Sequence, residues 1–146
     1  MAEKFKLQTV LRFRKTLEEQ AQQRVAELLS VESGLKARQG EVNSHLDKLS
    51  GQLLQKQQQG LSILEFRLYE DQLDHHRQQS EQLQKQLEEM ALLLNESRQE
   101  LLIAAREYKI IEKLKEKQLA EYLRELDRKE RIMLDEISLR QKGDSE

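Results

Sequence analysis

The chain has 146 residues and contains no cysteine, no proline and no tryptophan. Without cysteine there is no disulfide, no thiolate nucleophile and no cysteine-ligated zinc. Without proline the commonest helix breaker is missing. Aromatic residues make up only 4% of the chain, three Phe and three Tyr. So few large side chains argue against a compact core that encloses a deep pocket. No apolar run approaches the ~20 residues of a membrane span, and the N-terminus lacks the apolar core of a signal peptide. A soluble intracellular protein is therefore expected. The net charge of −2 gives no bulk attraction to nucleic acid or anionic lipid.

What is present points one way. Hydrophobic residues are 37% of the chain and charged residues 36%, where an ordinary globular domain carries ~45–50% apolar residues. The apolar share is mostly Leu and Ala, accompanied by Glu, Lys, Arg and a heavy load of Gln. All are strong helix formers that lose little side-chain entropy in a helix. A disordered chain shares the charge and the Gln but not the regularly spaced Leu.

Steps of four and three along the first third select Leu7, Leu11, Arg14, Glu18, Ala21, Val25, Leu28, Glu32, Leu35, Gln39, Val42, Leu46, Leu49 and Leu53. Most are apolar, which is the seam of a coiled coil. Leu17 and Val31 flank the polar positions Glu18 and Glu32, so the stripe is broad. Gly34, Gly40 and Gly51 lie inside it, each weakening a helix by roughly 1 kcal/mol relative to Ala. The pattern predicts a helix over about 4–55. Gln55 to Gly60 then break the periodicity, and Gly60 can end a helix in the left-handed conformation. Ser62-Ile63-Leu64-Glu65 matches a capping box. A stop followed directly by a start predicts a turn over about 56–62.

The second helix is predicted over about 63–140, with residues 141–146 as a frayed tail. Its seam runs Leu73, His76, Ser80, Leu83, Leu87, Met90, Leu94, Ser97, Leu101, Ala104, Tyr108 and Ile111. It then changes phase to Leu119, Leu123, Leu126, Glu130, Met133 and Ile137, a stutter. Glu81–Lys85, Glu125–Lys129, Asp127–Arg131 and Glu136–Arg140 stand in the favourable order for i,i+4 pairs. The fold class expected is all-α: one long antiparallel two-helix coiled-coil hairpin spanning the chain as a single domain.

The two predicted helices differ in length. At ~1.5 Å per residue they measure ~78 Å and ~117 Å, so the second overhangs by roughly 25 residues, about 115–140. That stretch still carries an apolar stripe. Either an external partner covers it, or two chains pair there as a homodimer, or the turn lies elsewhere than the pattern places it.

Nothing in the chain is arranged for catalysis, and neither a cofactor nor a metal is expected. His75 and His76 point about 100° apart on a helix and cannot chelate one metal from one face. The carboxylates are interspersed with Lys and Arg on a solvated surface that raises no pKa for acid-base work. There is no Gly-rich phosphate loop and no nucleophile-base pair. Two basic clusters stand out: Lys4, Lys6, Arg12, Arg14 and Lys15 around Phe5, Leu7, Leu11 and Phe13, and Arg106, Lys109, Lys113, Lys115 and Lys117. A hairpin brings them to the same end. They read either as a patch for an acidic protein partner or as ordinary solvated faces offset by Glu107, Glu112 and Glu116. No aromatic residues interleave the lysines as single-stranded nucleic acid binding requires.

Two segments resemble the FliJ family of flagellar type III export proteins. The first is Phe5-Lys6-Leu7-Gln8-Thr9-Val10-Leu11-Arg12-Phe13-Arg14, similar to the family's opening of Phe, Leu and Val-Leu followed by a basic residue. The second runs from Ala105 to Glu136. There Lys109, Glu112, Lys113, Leu114, Lys115, Glu116, Lys117, Tyr122, Glu130, Asp135 and Glu136 match the family pattern. The Gln-rich middle matches in character only. The resemblance implies a non-enzymatic coiled-coil stalk, like that of rotary ATPases. Such a stalk binds the hexameric flagellar export ATPase, promotes its assembly and activity, contacts the cytosolic part of the export gate and assists recycling of export chaperones. It implies a cytoplasmic protein peripherally associated with the inner-membrane export apparatus, monomeric when free, with no nucleic acid partner and no membrane insertion. Partner-binding positions carried over are Leu7, Leu11, Arg12, Arg14, Lys109, Lys113, Tyr122, Asp135 and Glu136. The equivalent stalk of a virulence type III secretion system and a generic homodimeric coiled-coil scaffold or adaptor are the alternatives.

Overall fold

The computed structural model describes residues 2–144, with side chains from 7 to 143. Two helices account for almost all of it, α1 (Ala2–Gln59) and α2 (Ile63–Asp144), with no strand among the described residues. They pack against each other as an antiparallel helical hairpin. α1 extends to Gln59, beyond the expected end near 55. The Gln-rich stretch lacks hydrophobic periodicity, but its residues favour helix and continue it in water. What ends α1 is Gly60, whose φ of 98° lies in the left-handed region. α2 begins where the capping box stands: the Glu65 amide donates to Ser62 Oγ at 3.2 Å, and the Phe66 amide to the Ser62 carbonyl at 3.0 Å. At the other end α2 continues through Asp144 rather than fraying from 141; Ser145 and Glu146 lie outside the described residues.

The contacts divide the chain into two units, Gln20–Leu101 and Met1–Glu19 with Leu102–Glu146. In the first unit the half-buried positions of α1 are Ala21, Val25, Leu28, Glu32, Leu35, Gln39, Val42, Leu46, Leu49 and Leu53, the seam expected from the spacing. On α2 the seam starts earlier than expected, at Phe66 and Tyr69. It deepens at Leu73, Leu83 and Leu94, which are 5%, 7% and 3% exposed. Burying one such Leu contributes ~1.5–3 kcal/mol. With only two helices, most seam positions stay partly wet, so these three leucines are the driest apolar points.

Polar seam positions fix the register of this unit. Gln39 Nε2 donates to Gln84 Oε1 at 2.8 Å, and Ser80 Oγ to Asn43 Oδ1 at 3.2 Å. His45 and His76 stack across the helices, ring centroids 5.9 Å apart. Near the turn the Lys56 ammonium sits 5.1 Å from the Tyr69 ring centroid. A hydrogen bond with Tyr69 raises the Lys56 pKa above the ordinary lysine value. Each pair straddles the Gly60 region at nearly equal sequence distance, as an antiparallel hairpin requires.

In the second unit the half-buried residues of α1 are Leu7, Gln8, Leu11, Arg14, Leu17 and Glu18. They face α2 positions that include Leu101's successors Ala104, Tyr108 and Ile111. Arg14 is ion-paired with Glu107, and Lys115 donates to Gln8. Lys115 is the last covered position: every residue from 116 to 143 is exposed. Coverage thus stops just before Leu119, where the seam changes phase.

Candidate functional site

All the partner-binding positions expected from the sequence fall in the unit that joins Met1–Glu19 and Leu102–Glu146. They divide by exposure. Leu7 and Leu11 are half-buried in the seam with α2, and Arg14 is tied to Glu107. These three side chains hold α1 against α2. Arg12, Lys109, Lys113, Tyr122, Asp135 and Glu136 are exposed. Lys4, Phe5 and Lys6, part of the expected N-terminal basic cluster, lie outside the described side chains.

Helical spacing orders the basic residues of α2. Lys109, Lys113 and Lys117 succeed one another every fourth residue, so they share one face. Among the described residues none of the three is in an ion pair. Arg12 and Lys15 are also exposed on α1, and Phe13 beside them is 57% exposed. Arg14 Cζ lies 5.9 Å from the Phe13 ring centroid. From the sequence Glu107 counted only as an offset to the basic cluster and Gln8 only as part of the opening segment, not as partners across the helices. Their signal is the antiparallel register itself, which sets residue 14 opposite 107 and residue 8 opposite 115.

Past Lys115 the helix presents a bare apolar row. Leu119 is 48% exposed, Leu123 55%, Leu126 40%, Met133 62% and Ile137 47%. Of the expected i,i+4 pairs, Asp127–Arg131 forms, at 3.2 Å. Glu125 pairs instead with Arg128 at 2.8 Å, one residue nearer than the expected Lys129. Glu81–Lys85 and Glu136–Arg140 are not within ion-pair distance among the described residues. Such pairs exchange freely in water and are worth little, so the nearest long side chain wins.

A shallow groove of about 180 Å³ is lined by Arg38, Val42, Gln79, Gln82, Leu83 and Gln86, smaller than ordinary ligand pockets of ~300–1,000 Å³. His75 and His76 have ring centroids 5.7 Å apart and tilted by 56°. No group of three or more His, Cys, Asp or Glu among the described residues could hold a metal. No helix among them is long and apolar enough to cross a membrane.

The family model described as "Flagellar FliJ protein" matches residues 3–146, nearly the whole chain. No curated protein and no solved structure matches it.

Proposed function

The chain belongs to the FliJ family of non-catalytic components associated with flagellar protein export, and from that premise we propose that it is the central stalk of the hexameric flagellar export ATPase. The observation that carries the reading is the bare amphipathic run at 116–143, in which an apolar row on a continuous helix has no covering side chain. A ring channel supplies the missing surface. In this role the seam residues Leu7, Leu11 and Arg14 position α1. The exposed Arg12, Lys109, Lys113, Tyr122, Asp135 and Glu136 contact the ring. Basic residues at the mouth meet acidic groups of the ATPase, which steers association. One two-helix hairpin cannot touch six identical subunits equally, so it biases ring assembly and the order of hydrolysis. Residues nearer the turn reach the cytosolic part of the export gate and the export chaperones, at the cytoplasmic face of the inner membrane.

The test is titration into the cognate flagellar export ATPase, following ATP hydrolysis and ring assembly together. Stimulation with more hexamer at substoichiometric chain is expected. Absence of binding to a demonstrably active ATPase overturns the reading. Arg12→Glu and Lys113→Glu are expected to weaken ATPase binding while helicity by circular dichroism is unchanged. Loss of helicity in step with binding would make those residues structural.

A further inference from the structure

Three of the chain's five glycines, Gly34, Gly40 and Gly51, stand inside α1. All three are exposed, and a Cβ at any of them would meet nothing within 4 Å among the described residues. No close approach of backbone or side chain calls for glycine there. Its remaining effect is on the helix: glycine has more freedom in the open chain than alanine, and it weakens the turns around it. α2 has no glycine from Ile63 to Lys142. The weakness therefore belongs to one helix of the pair.

The contacts across this stretch exchange readily with water. The Gln39–Gln84, Asn43–Ser80 and His45–His76 pairs all place their α1 member between 34 and 51. The two hydrogen bonds join neutral, exposed groups, so little is lost when water replaces either partner. The shallow groove beside Arg38 and Val42 lies at the same level, where the helices pack incompletely. No described side chain of α1 is buried, whereas the buried Leu73, Leu83, Leu94 and Ser97 all stand on α2.

We propose that α1 between 34 and 51 is a yielding segment, which opens locally while α2 stays helical opposite it. α2 continues from wound turns on both sides and so avoids the cost of nucleation. Its Gln, Glu and Leu residues at this level favour helix. The hairpin then has a strut in α2 and a joint in α1, and it bends at this level without coming apart. The joint goes beyond the stalk reading and is measured on the chain alone, so either can fail without the other.

Hydrogen exchange of the whole chain, followed by mass spectrometry at rising urea, tests the joint. Amides of 34–51 are expected to be at least about tenfold less protected than those of 72–88. Their exchange should also rise less steeply with urea, because a local opening exposes little surface. The stretch 20–33 of α1, which has no glycine, should keep the protection of α2. Gly34→Ala, Gly40→Ala and Gly51→Ala combined should slow exchange in 34–51 at least about tenfold. Equal protection and equal urea slopes in 34–51 and 72–88 mean that the helices open only together, and overturn the proposal. Exchange in 20–33 as fast as in 34–51 overturns it too, as does a segment indifferent to the three alanines.

Discussion

The stretch 63–101 and the stretch 116–143 use the same helix formers and the same four-three spacing of leucine, yet one is a packed seam and the other is bare. Leu94 is 3% exposed; Leu126, with the same side chain in the same kind of row, is 40% exposed. The local pattern is therefore not what decides burial. The position of the turn decides it. Gly60 ends α1, and the 82 residues of α2 outrun the 58 of α1, so the last part of α2 keeps a face made for packing without an internal partner. An amphipathic row specifies that something covers it; the length of the other helix specifies whether that something belongs to the same chain.

The most direct way to break this comparison is to cut the same atoms from both rows. Leu94→Ala leaves a cavity in the driest part of the seam and should cost ~2–5 kcal/mol of hairpin stability. Leu126→Ala, measured at a concentration too low for association, should change it by less than ~0.5 kcal/mol. Urea denaturation of both variants reads the contrast. Equal losses would mean that the extension is covered within one chain.

The turn sets where coverage stops, so it is the next target. Gly60 and Gly40 both have open space where a Cβ would stand, and they differ only in backbone conformation. Gly60→Ala forces an L-residue to a φ of 98° and should cost ~1–2 kcal/mol. Gly40→Ala, inside α1, should instead stabilise by ~0.5–1 kcal/mol. Opposite signs in thermal unfolding tie the turn to conformation rather than packing. If both stabilise, Gly60 is not the stop.

A smaller effect concerns a flaw in the covered seam. Ser97 is 2% exposed and its Oγ has no hydrogen-bond partner among the described residues. Burying an unsatisfied hydroxyl is unfavourable, so Ser97→Ala should stabilise the hairpin, by up to ~1 kcal/mol. A destabilisation in urea unfolding would show that the hydroxyl has a partner in solution.

Most of the covered seam was legible from spacing. Every position selected by spacing from Leu7 to Leu53, and from Leu73 to Ile111, is half-buried or buried. Heptad arithmetic succeeds here because a two-helix hairpin has only one interface for the row to face. Gly60 and Ser62 were legible for the same reason: each has one strong conformational role. The end of α1 at Gln59 was not, since Gln55 to Gln59 carry helix propensity without a pattern. Phe66 and Tyr69 lie inside the expected second helix and extend its three-four spacing back from Leu73, but the expected row began only at Leu73. At the candidate site the resemblance supplies a set of positions, but not which face each takes. Leu7, Leu11 and Arg14 serve the inside of the hairpin, while Arg12, Lys109 and Lys113 stand outside. Exposure depends on register, and register follows from the turn.

The smallest effect lies at the boundary between the covered and bare rows. Arg14 and Glu107 pair across the helices with side chains 34% and 44% exposed. Asp127 and Arg131 pair within the bare stretch with theirs 60% and 76% exposed. Water screens both pairs, so Arg14→Ala should cost at most ~1 kcal/mol, and a double-mutant cycle with Glu107→Ala should return a coupling of ~0.2–1 kcal/mol. Asp127→Ala should leave hairpin unfolding unchanged, because its partner is on the same helix and closes no contact between helices. Salt sharpens the distinction. At 1 M ionic strength the Debye length falls to ~3 Å, and the Arg14–Glu107 coupling should shrink. A coupling that persists undiminished would mean that the guanidinium holds α1 by packing its stem against α2, and that the boundary is set by apolar contact even where the sequence writes a charge.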